Sequence, residues 1–214
     1  MNTTRANQIK ETYEQIKREI ESRIEDFRNI WEKGDERIFE ELTFCIFTPQ
    51  SKAKVCWNTV QKLKEDDILL DACEEKISDN INKVRFRNNK ASYLVEAREK
   101  FMDEDISLKE KISQFEDQKE AREWIVDNVK GLGYKEASHF LRNIGKGDDL
   151  AILDRHILKN LVDLEVIEEE PNTLTRKKYL EIEKKMKEFS DKVGIPLGHL
   201  DLVLWYEETG YIFK

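Results

Sequence analysis

Two closely spaced glycines, Gly131 and Gly133, interrupt a stretch of sequence that is otherwise patterned for helix. Apolar residues recur at helical spacing on both sides of the glycines: Ala121, Trp124, Ile125 and Val129 before them, and Ala137, Phe140, Leu141 and Ile144 after them. Glycine adopts backbone angles that other residues avoid and places no side chain in the way, so a tight turn fits here. The pattern predicts a helix, a hairpin and a second helix over about residues 121–144, with amides that can approach a phosphate closely.

The remaining sequence also favours helix. Its longest apolar stripe predicts an amphipathic helix of about six to seven turns that ends at Gly34. The stripe consists of Ile9, Tyr13, Ile16, Ile20, Ile24, Phe27 and Trp31. Further helices are predicted to begin at Ser107 with Glu110, at Asp117 with Glu120, and at Thr173 to Thr175. No long alternating pattern indicates a strand, and only 8 glycines and 3 prolines occur in 214 residues. We therefore expect an all-α fold without a linker or internal repeat.

Composition limits the cellular setting. The longest apolar runs, such as 44–47, contain four residues, and no charged and then apolar leader precedes the first helix. We therefore expect a soluble cytoplasmic protein with neither a membrane span nor a secretory signal. The three cysteines, Cys45, Cys56 and Cys73, are odd in number and widely spaced. This pattern favours buried thiols in a reducing compartment over disulfides.

A formal net charge of −8 does not exclude a nucleic-acid partner, because net charge averages over faces that a ligand never meets. Residues 83–90 carry four cations and no acid, and residues 129–160 carry six cations against four acids. Much of the acid lies elsewhere, in Glu165 to Glu170 and along the first helix. Cations therefore outnumber acids in the sequence around the hairpin, although the whole chain is acidic.

The hairpin is followed by Lys135, and Asp154 comes nineteen residues after that lysine. This arrangement resembles the helix-hairpin-helix DNA glycosylases, in which a lysine just after the hairpin glycines attacks the sugar and a downstream aspartate assists. The segments 131–143 and 153–158, and an end nine residues after Trp205, are similar to the archaeal-type 8-oxoguanine DNA glycosylase/lyase family. Lys130 stands where a proline is common in the superfamily, which should change the rigidity of the turn without removing its glycines.

The resemblance implies an architecture and a partner. It implies two helical subdomains with a DNA-binding cleft between them: 32–147, which carries the hairpin, and a second built from 1–31 and 148–214. The expected partner is double-stranded DNA containing 8-oxoguanine, bound by a monomer that associates with the nucleoid of a prokaryotic cell during repair. Some relatives hold an iron–sulfur cluster with four cysteines near the C-terminus, but no cysteine follows Cys73 here. His139, His156 and His199 are too scattered to suggest a metal site, so we expect no cofactor and no metal.

The implied chemistry is excision of 8-oxoguanine by lysine attack on the sugar C1′, followed by strand cleavage through β-elimination. Lys135 is the candidate nucleophile, because an amine that attacks the sugar forms a Schiff base that acidifies the neighbouring carbon. Its attack requires a neutral amine, which the positive helix terminus and nearby Lys130 should favour. Asp154 can stabilise developing positive charge on the sugar or help to remove the lysine proton. The simpler alternatives are a phosphate-binding lysine and a helix-capping aspartate.

A base inside a duplex must be flipped out before it can be excised. Gln50 resembles the residue that fills the vacated stack; the alternative is a solvated polar residue in a proline turn. Phe86 and Trp205 are candidates for stacking on the flipped base, with the hydrophobic core as the alternative for either aromatic. The resemblance further implies that the carboxylate of Lys214 recognises 8-oxoguanine, which carries a hydrogen-bond donor at N7 where guanine has an acceptor. Lys130, Gly131 and Gly133 complete the predicted DNA contacts.

Two other functions remain open from the sequence. One is a glycosylase of the same superfamily that acts on another oxidised or mispaired base. The other is a non-catalytic helix-hairpin-helix module that binds DNA through Lys130 and Lys135.

Overall fold

The computed structural model describes residues 2–102 and 107–214, and within these ranges the secondary structure is helical without strands. The prediction of an all-α fold is confirmed. In chain order the helices are α1 Thr3–Trp31, α2 Asp35–Phe47, α3 Ala53–Glu65, α4 Glu74–Asn80, α5 Arg87–Phe101, α6 Leu108–Ser113, α7 Gln118–Asn128, α8 Tyr134–Asn143, α9 Arg155–Asp163, α10 Arg176–Val193 and α11 Leu197–Thr209.

The chain divides into two compact units. One consists of Met1–Asn29 with Leu141–Lys214, and the other of Ile30–Phe140. We call these the terminal unit and the middle unit. None of the helices in the described ranges is long and apolar enough to cross a membrane.

The terminal unit contains most of α1, and in it α11 packs against α9 and α10. The predicted stripe along α1 is buried, but the helix begins earlier than its apolar pattern, at Thr3. At its other end Ile30 is buried and Trp31 is only partly so, which shifts the last position of the stripe by one residue. Arg142, counted above among the cations near the hairpin, is buried and pairs with Asp201 at 3.1 Å. It therefore belongs to the core of this unit and does not contribute to a basic surface.

The middle unit is centred on α2, which packs against α3, α5 and α6, while α4 packs against α3 and α5. Ten consecutive residues of α2, Ile38 to Phe47, are buried, so this helix has no solvated face over that length. A helix that is buried all round forms the interior of a domain, with other helices on every side. Helix α5 is one of these neighbours, and it carries most of the contacts that fix the hairpin.

The predicted helix boundaries are set by side-chain caps. Ser107 and Glu110 form a complete capping box at the start of α6. Asp117 caps α7 by accepting from the Lys119 amide, and Thr175 caps α10. The expectation of three buried thiols is wrong for Cys73, which is exposed because it lies at the N-cap of the short surface helix α4.

The helix, hairpin and helix predicted around the two glycines are confirmed as α7, a turn over 129–133, and α8. Gly131 has a φ of +86°, and a Cβ at this position would lie 2.4 Å from Cδ2 of Tyr93 on α5. Both the left-handed backbone and the packed ring therefore require glycine. Gly133 differs from the expectation, since its φ is not in the left-handed region and a Cβ would meet only Glu136 Oε2 at 3.6 Å.

We predict that Gly131→Ala lowers the free energy of unfolding by more than Gly194→Ala does. Gly194 is a matched control, because its φ of +73° is also left-handed but a Cβ there would meet nothing within 4 Å. The left-handed backbone costs alanine about 1–2 kcal/mol at either position, and overpacking against Tyr93 adds about 1–3 kcal/mol only at Gly131. Urea unfolding of the two variants measures the difference. Equal losses would contradict the role assigned to the Tyr93 ring.

Candidate active site

Lys135 is the second residue of α8 and lies immediately after the hairpin, as the sequence predicted. Its side chain is 23% exposed, so the amine lies at a partly open surface of the middle unit. Lys135 Nζ is 3.6 Å from Glu136 Oε1, which makes the adjacent carboxylate an ion-pair partner of this amine. Any attack by Lys135 on an electrophile requires Nζ to leave this carboxylate. Glu136 was not identified from the sequence, where it is one of many surface glutamates.

The start of α8 is fixed to α7 by side chains on both sides of the hairpin. Arg122, fully buried on α7, donates to Ser138 Oγ at 3.1 Å and lies over the ring of Tyr134. The Tyr134 hydroxyl donates to the Glu123 carboxylate. These contacts join the first turn of α8 to the preceding helix, so Lys135 and the N-terminal amides of α8 are held in a defined orientation. The first amides of a helix have no partner within the helix and can bind an anion.

Helix α5 packs against the hairpin and forms hydrogen bonds with the segments next to it. Tyr93 packs against Gly131, and Lys100 Nζ donates to the backbone carbonyl of Asn128 at 3.1 Å, at the last residue of α7. Lys130 remains exposed, but its Nζ donates to Glu96 Oε2 on α5 at 3.1 Å. The predicted DNA contact of Lys130 therefore has to compete with an exposed ion pair, and such pairs contribute little stability.

Gln50 and Phe86 share two unusual properties. Both adopt left-handed backbone angles, with φ values of +56° and +59°, although neither is glycine. Both side chains are also exposed, and Phe86, at 55%, is the one large apolar side chain of the described residues that faces solvent to this extent. The alternative that Phe86 is a core aromatic is therefore wrong. Left-handed non-glycine residues cost of order 1–3 kcal/mol each and concentrate at functional sites.

Lys90, counted above among the four cations of residues 83–90, does not contribute to a basic surface. Its side chain is buried, and Nζ donates to the backbone carbonyls of Phe47 and Pro49, both at 2.7 Å. Burial lowers the pKa of Lys90 from 10.5 to about 8, and the nearby Glu136 carboxylate partly opposes this shift. Its place on the buried stripe of α5 was visible in the sequence, because Leu94, Ala97 and Phe101 follow it at helical spacing.

Asp154 lies in the terminal unit, where it caps α9. Its Oδ1 accepts from the backbone amides of His156 at 2.8 Å and Ile157 at 2.9 Å. The cap predicted from sequence is thus present. The carboxylate is fixed by two amides of the helix that it begins.

Trp205 also lies in the terminal unit, on α11, and is partly buried. The ring of His156 packs edge-on against it with the centroids 5.3 Å apart. His156 Nδ1 is 3.6 Å from Glu208 Oε2 on the same helix as Trp205. The structure therefore joins Asp154 to Trp205 through His156, a residue that sequence analysis did not assign to the site. Lys214 follows α11 and is partly exposed.

The predicted site residues fall into two groups. The middle unit holds the nucleophile candidate and the hairpin, together with Gln50 and Phe86; the terminal unit holds Asp154, Trp205 and Lys214. The first group offers an amine, helix-terminal amides and an exposed aromatic, which suit attack on a sugar and binding of phosphates and bases. Over residues 2–102 and 107–214, no three His, Cys, Asp or Glu side chains are grouped so that they could hold a metal ion.

Known proteins that are similar to this chain share one description. The profile of the helix-hairpin-helix family described as 8-oxoguanine DNA glycosylase matches residues 20–195. A protein of Fusobacterium nucleatum named 8-oxoguanine DNA glycosylase/AP lyase is 51% identical over 210 residues, which cover 97% of each chain. A protein of Methanocaldococcus jannaschii with the same name is 42% identical over 94% of each chain.

Solved structures give the same result. The crystal structure of the Methanocaldococcus jannaschii 8-oxoguanine glycosylase/lyase in complex with 15mer DNA containing 8-oxoguanine has a TM-score of 0.89 and 38% identity, covering 98% of this chain and 99% of that one. The 8-oxoguanine DNA glycosylase of Thermotoga maritima has a TM-score of 0.87 and 32% identity, covering 98% of both chains. With the sequence matched over most of its length and the fold over nearly all of it, the chain belongs to the helix-hairpin-helix 8-oxoguanine DNA glycosylase family.

Proposed function

We propose that this protein excises 8-oxoguanine from DNA and then cleaves the strand at the resulting abasic site. One structural observation carries the catalytic part: Lys135 is held at the start of α8, directly after a hairpin whose amides can bind DNA phosphate. Family membership supplies the substrate, since relatives up to 51% identical are named 8-oxoguanine DNA glycosylase/AP lyase. The partner is double-stranded DNA containing 8-oxoguanine, on which the protein acts as a monomer in the prokaryotic cytoplasm.

Lys135 is the nucleophile in this proposal. Its neutral amine attacks C1′ as the C1′–N9 bond breaks and the base leaves with the bonding electrons. Ring opening gives a Schiff base between Nζ and C1′, which acidifies the C2′ proton and permits elimination of the 3′ phosphate. Water then hydrolyses the Schiff base and frees the lysine. Before the attack Lys135 must separate from Glu136, which is 3.6 Å away. A DNA phosphate bound at the hairpin would compete with the Glu136 carboxylate for this lysine.

Asp154 stabilises the departure of the base. Because its Oδ1 already accepts two backbone amides, the carboxylate is fixed without further ordering when substrate binds. A fixed anion near the sugar lowers the energy of the positive charge that develops there. The same group can help to remove the proton from the attacking lysine. Capping and catalysis are therefore compatible roles of one side chain.

The remaining predicted contacts divide between DNA gripping and base recognition. Lys130, Gly131 and Gly133 belong to the hairpin, while Gln50 enters the space left by the flipped base. Phe86 and Trp205 provide aromatic faces for stacking, which is insensitive to the difference between guanine and 8-oxoguanine. That difference is assigned to Lys214, whose carboxylate would accept from the N7 hydrogen of the lesion.

We predict that Lys135→Gln abolishes covalent trapping with borohydride on a duplex containing 8-oxoguanine. The amide cannot form a Schiff base, whereas DNA binding persists because it depends mainly on backbone amides and on other cations. Lys130→Gln is the matched control, since it removes a cation from the same hairpin but keeps the Lys135 amine, so a trapped complex should still form. Trapping and DNA binding are measured on the same samples. Trapping of Lys135→Gln at the wild-type level would show that another amine is the nucleophile.

We predict that two substitutions of Asp154 separate its effect on stability from its effect on turnover. Asp154→Asn keeps an oxygen that can accept from the amides of His156 and Ile157, so the free energy of unfolding changes little, but turnover falls by orders of magnitude. Asp154→Ala loses the cap as well and should cost about 1 kcal/mol of stability. Thermal unfolding and single-turnover rates of the pair measure the two effects. A normal rate in Asp154→Asn would reduce Asp154 to a structural cap.

A further inference from the structure

The ammonium group of Lys90 lies between the residues that flank Gln50. Its Nζ donates to the carbonyl of Pro49, just before Gln50, at 2.7 Å, and is 3.4 Å from Ser51 Oγ, just after it. A third contact at 2.7 Å reaches the carbonyl of Phe47, at the end of α2. A single cation thus binds three oxygens of the 47–51 loop, in which Gln50 holds a left-handed backbone.

The same lysine is tied to Phe86. Phe86 is the N-cap of α5, and the backbone amide of Lys90 donates to the Phe86 carbonyl at 3.0 Å in the first turn of that helix. Ser51 provides a second link, because its Oγ also accepts from the backbone amide of Arg85 at 3.0 Å. The residue after Gln50 is therefore bonded to the residue before Phe86. The two exposed left-handed residues are connected through Lys90 and Ser51.

Burial of the Lys90 ammonium against the 47–51 loop is unfavourable in itself, because the charge loses its contact with water. Burial lowers its pKa to about 8, which shows that the surroundings disfavour the charge, yet at pH 7 most of the group remains an ammonium with three hydrogens for its three acceptors. Cys56 assists from α3 by donating its thiol to the Phe47 carbonyl at 3.2 Å, and burial keeps that thiol protonated by raising its pKa to about 11. A buried charge with such specific contacts fixes one loop conformation that apolar packing alone would leave adjustable.

We propose that Lys90 is a positioning residue that holds the backbones of Gln50 and Phe86 in one rigid arrangement, so that Gln50 enters the space left in the DNA while Phe86 stacks on the damaged base that has been flipped out. This inference rests on the proposed function. Lys90 itself does not touch the reacting atoms. Its effect is confined to steps that require a base to be extracted from the stack, because those steps use Gln50 and Phe86.

The test is Lys90→Met, which retains a long side chain and removes the ammonium. Single-turnover rates are measured at pH 7 on two duplexes, one containing 8-oxoguanine and one containing a preformed abasic site. Because extraction of a stacked base is unfavourable and depends on Gln50 and Phe86, we expect 8-oxoguanine excision to slow by about tenfold or more. Cleavage at the abasic site, where no base is extracted, should remain within about threefold of wild type.

Arg98→Met is the matched control. Arg98 is a second buried cation on α5, and its Nη1 donates to the carbonyl of Ala72 at 2.9 Å, in a loop without a predicted DNA contact. Its loss should affect stability, and any loss of activity should be equal on the two substrates. The ratio of the two rates therefore separates positioning from general destabilisation.

Ser51→Ala keeps the proposal testable if Lys90→Met does not fold. It removes only the oxygen shared by Lys90 and Arg85, and should slow 8-oxoguanine excision selectively, by less than Lys90→Met. Ser113→Ala, on the exposed side of α6, is its control.

The outcomes distinguish the proposed role of Lys90 from the proposed function of the protein. Selective loss of 8-oxoguanine excision in the folded variants supports the proposal. Equal loss on both substrates in Lys90→Met, or unchanged excision in Ser51→Ala when Lys90→Met is unfolded, overturns it while the proposed function stands. A wild-type protein that cleaves neither duplex overturns the proposed function as well.

Discussion

The arrangement of the middle unit depends on contacts made by α5 with the segments on either side of it. Near its start Lys90 binds the carbonyls of the 47–51 loop; further along, Tyr93 packs against Gly131, and near its end Lys100 binds the carbonyl of Asn128. One helix thereby fixes the Gln50 loop, the hairpin turn and the end of α7. The position of Lys135 follows, because α8 begins where the hairpin ends. Geometry of this kind, set before substrate arrives, is what allows an enzyme to direct a flexible amine at one carbon.

Local sequence signals were sufficient to predict much of the fold and to nominate the candidate site residues. Helical periodicity and caps predicted the all-α architecture. The resemblance carried by the hairpin glycines, Lys135 and Asp154 implied the reaction. Asp154 also occupies the N-cap that the stripe after it predicted. These features depend on residues close together in the chain. The range matched to the family, residues 20–195, contains the hairpin glycines, Lys135 and Asp154, for which the chemical roles are proposed.

Contacts between residues distant in sequence were beyond such signals. Lys90 and Arg142 were counted as cations available to DNA, but both are buried and bind oxygen acceptors inside the protein. The need for glycine at 131 comes partly from the ring of Tyr93, thirty-eight residues earlier, and no local pattern records it. A net charge of −8 is similarly uninformative until the positions of the individual charges are known.

The proposed reaction depends on Lys135 as the amine that attacks the sugar. The most direct measurement is borohydride reduction of the wild-type protein on a duplex containing 8-oxoguanine, followed by proteolysis and mass spectrometry of the peptide that carries the sugar fragment. We expect one modified peptide, with the fragment on Lys135. Modification of another amine, such as Lys130 in the hairpin or the buried Lys90, would contradict it, as would excision of the base without any trapped peptide.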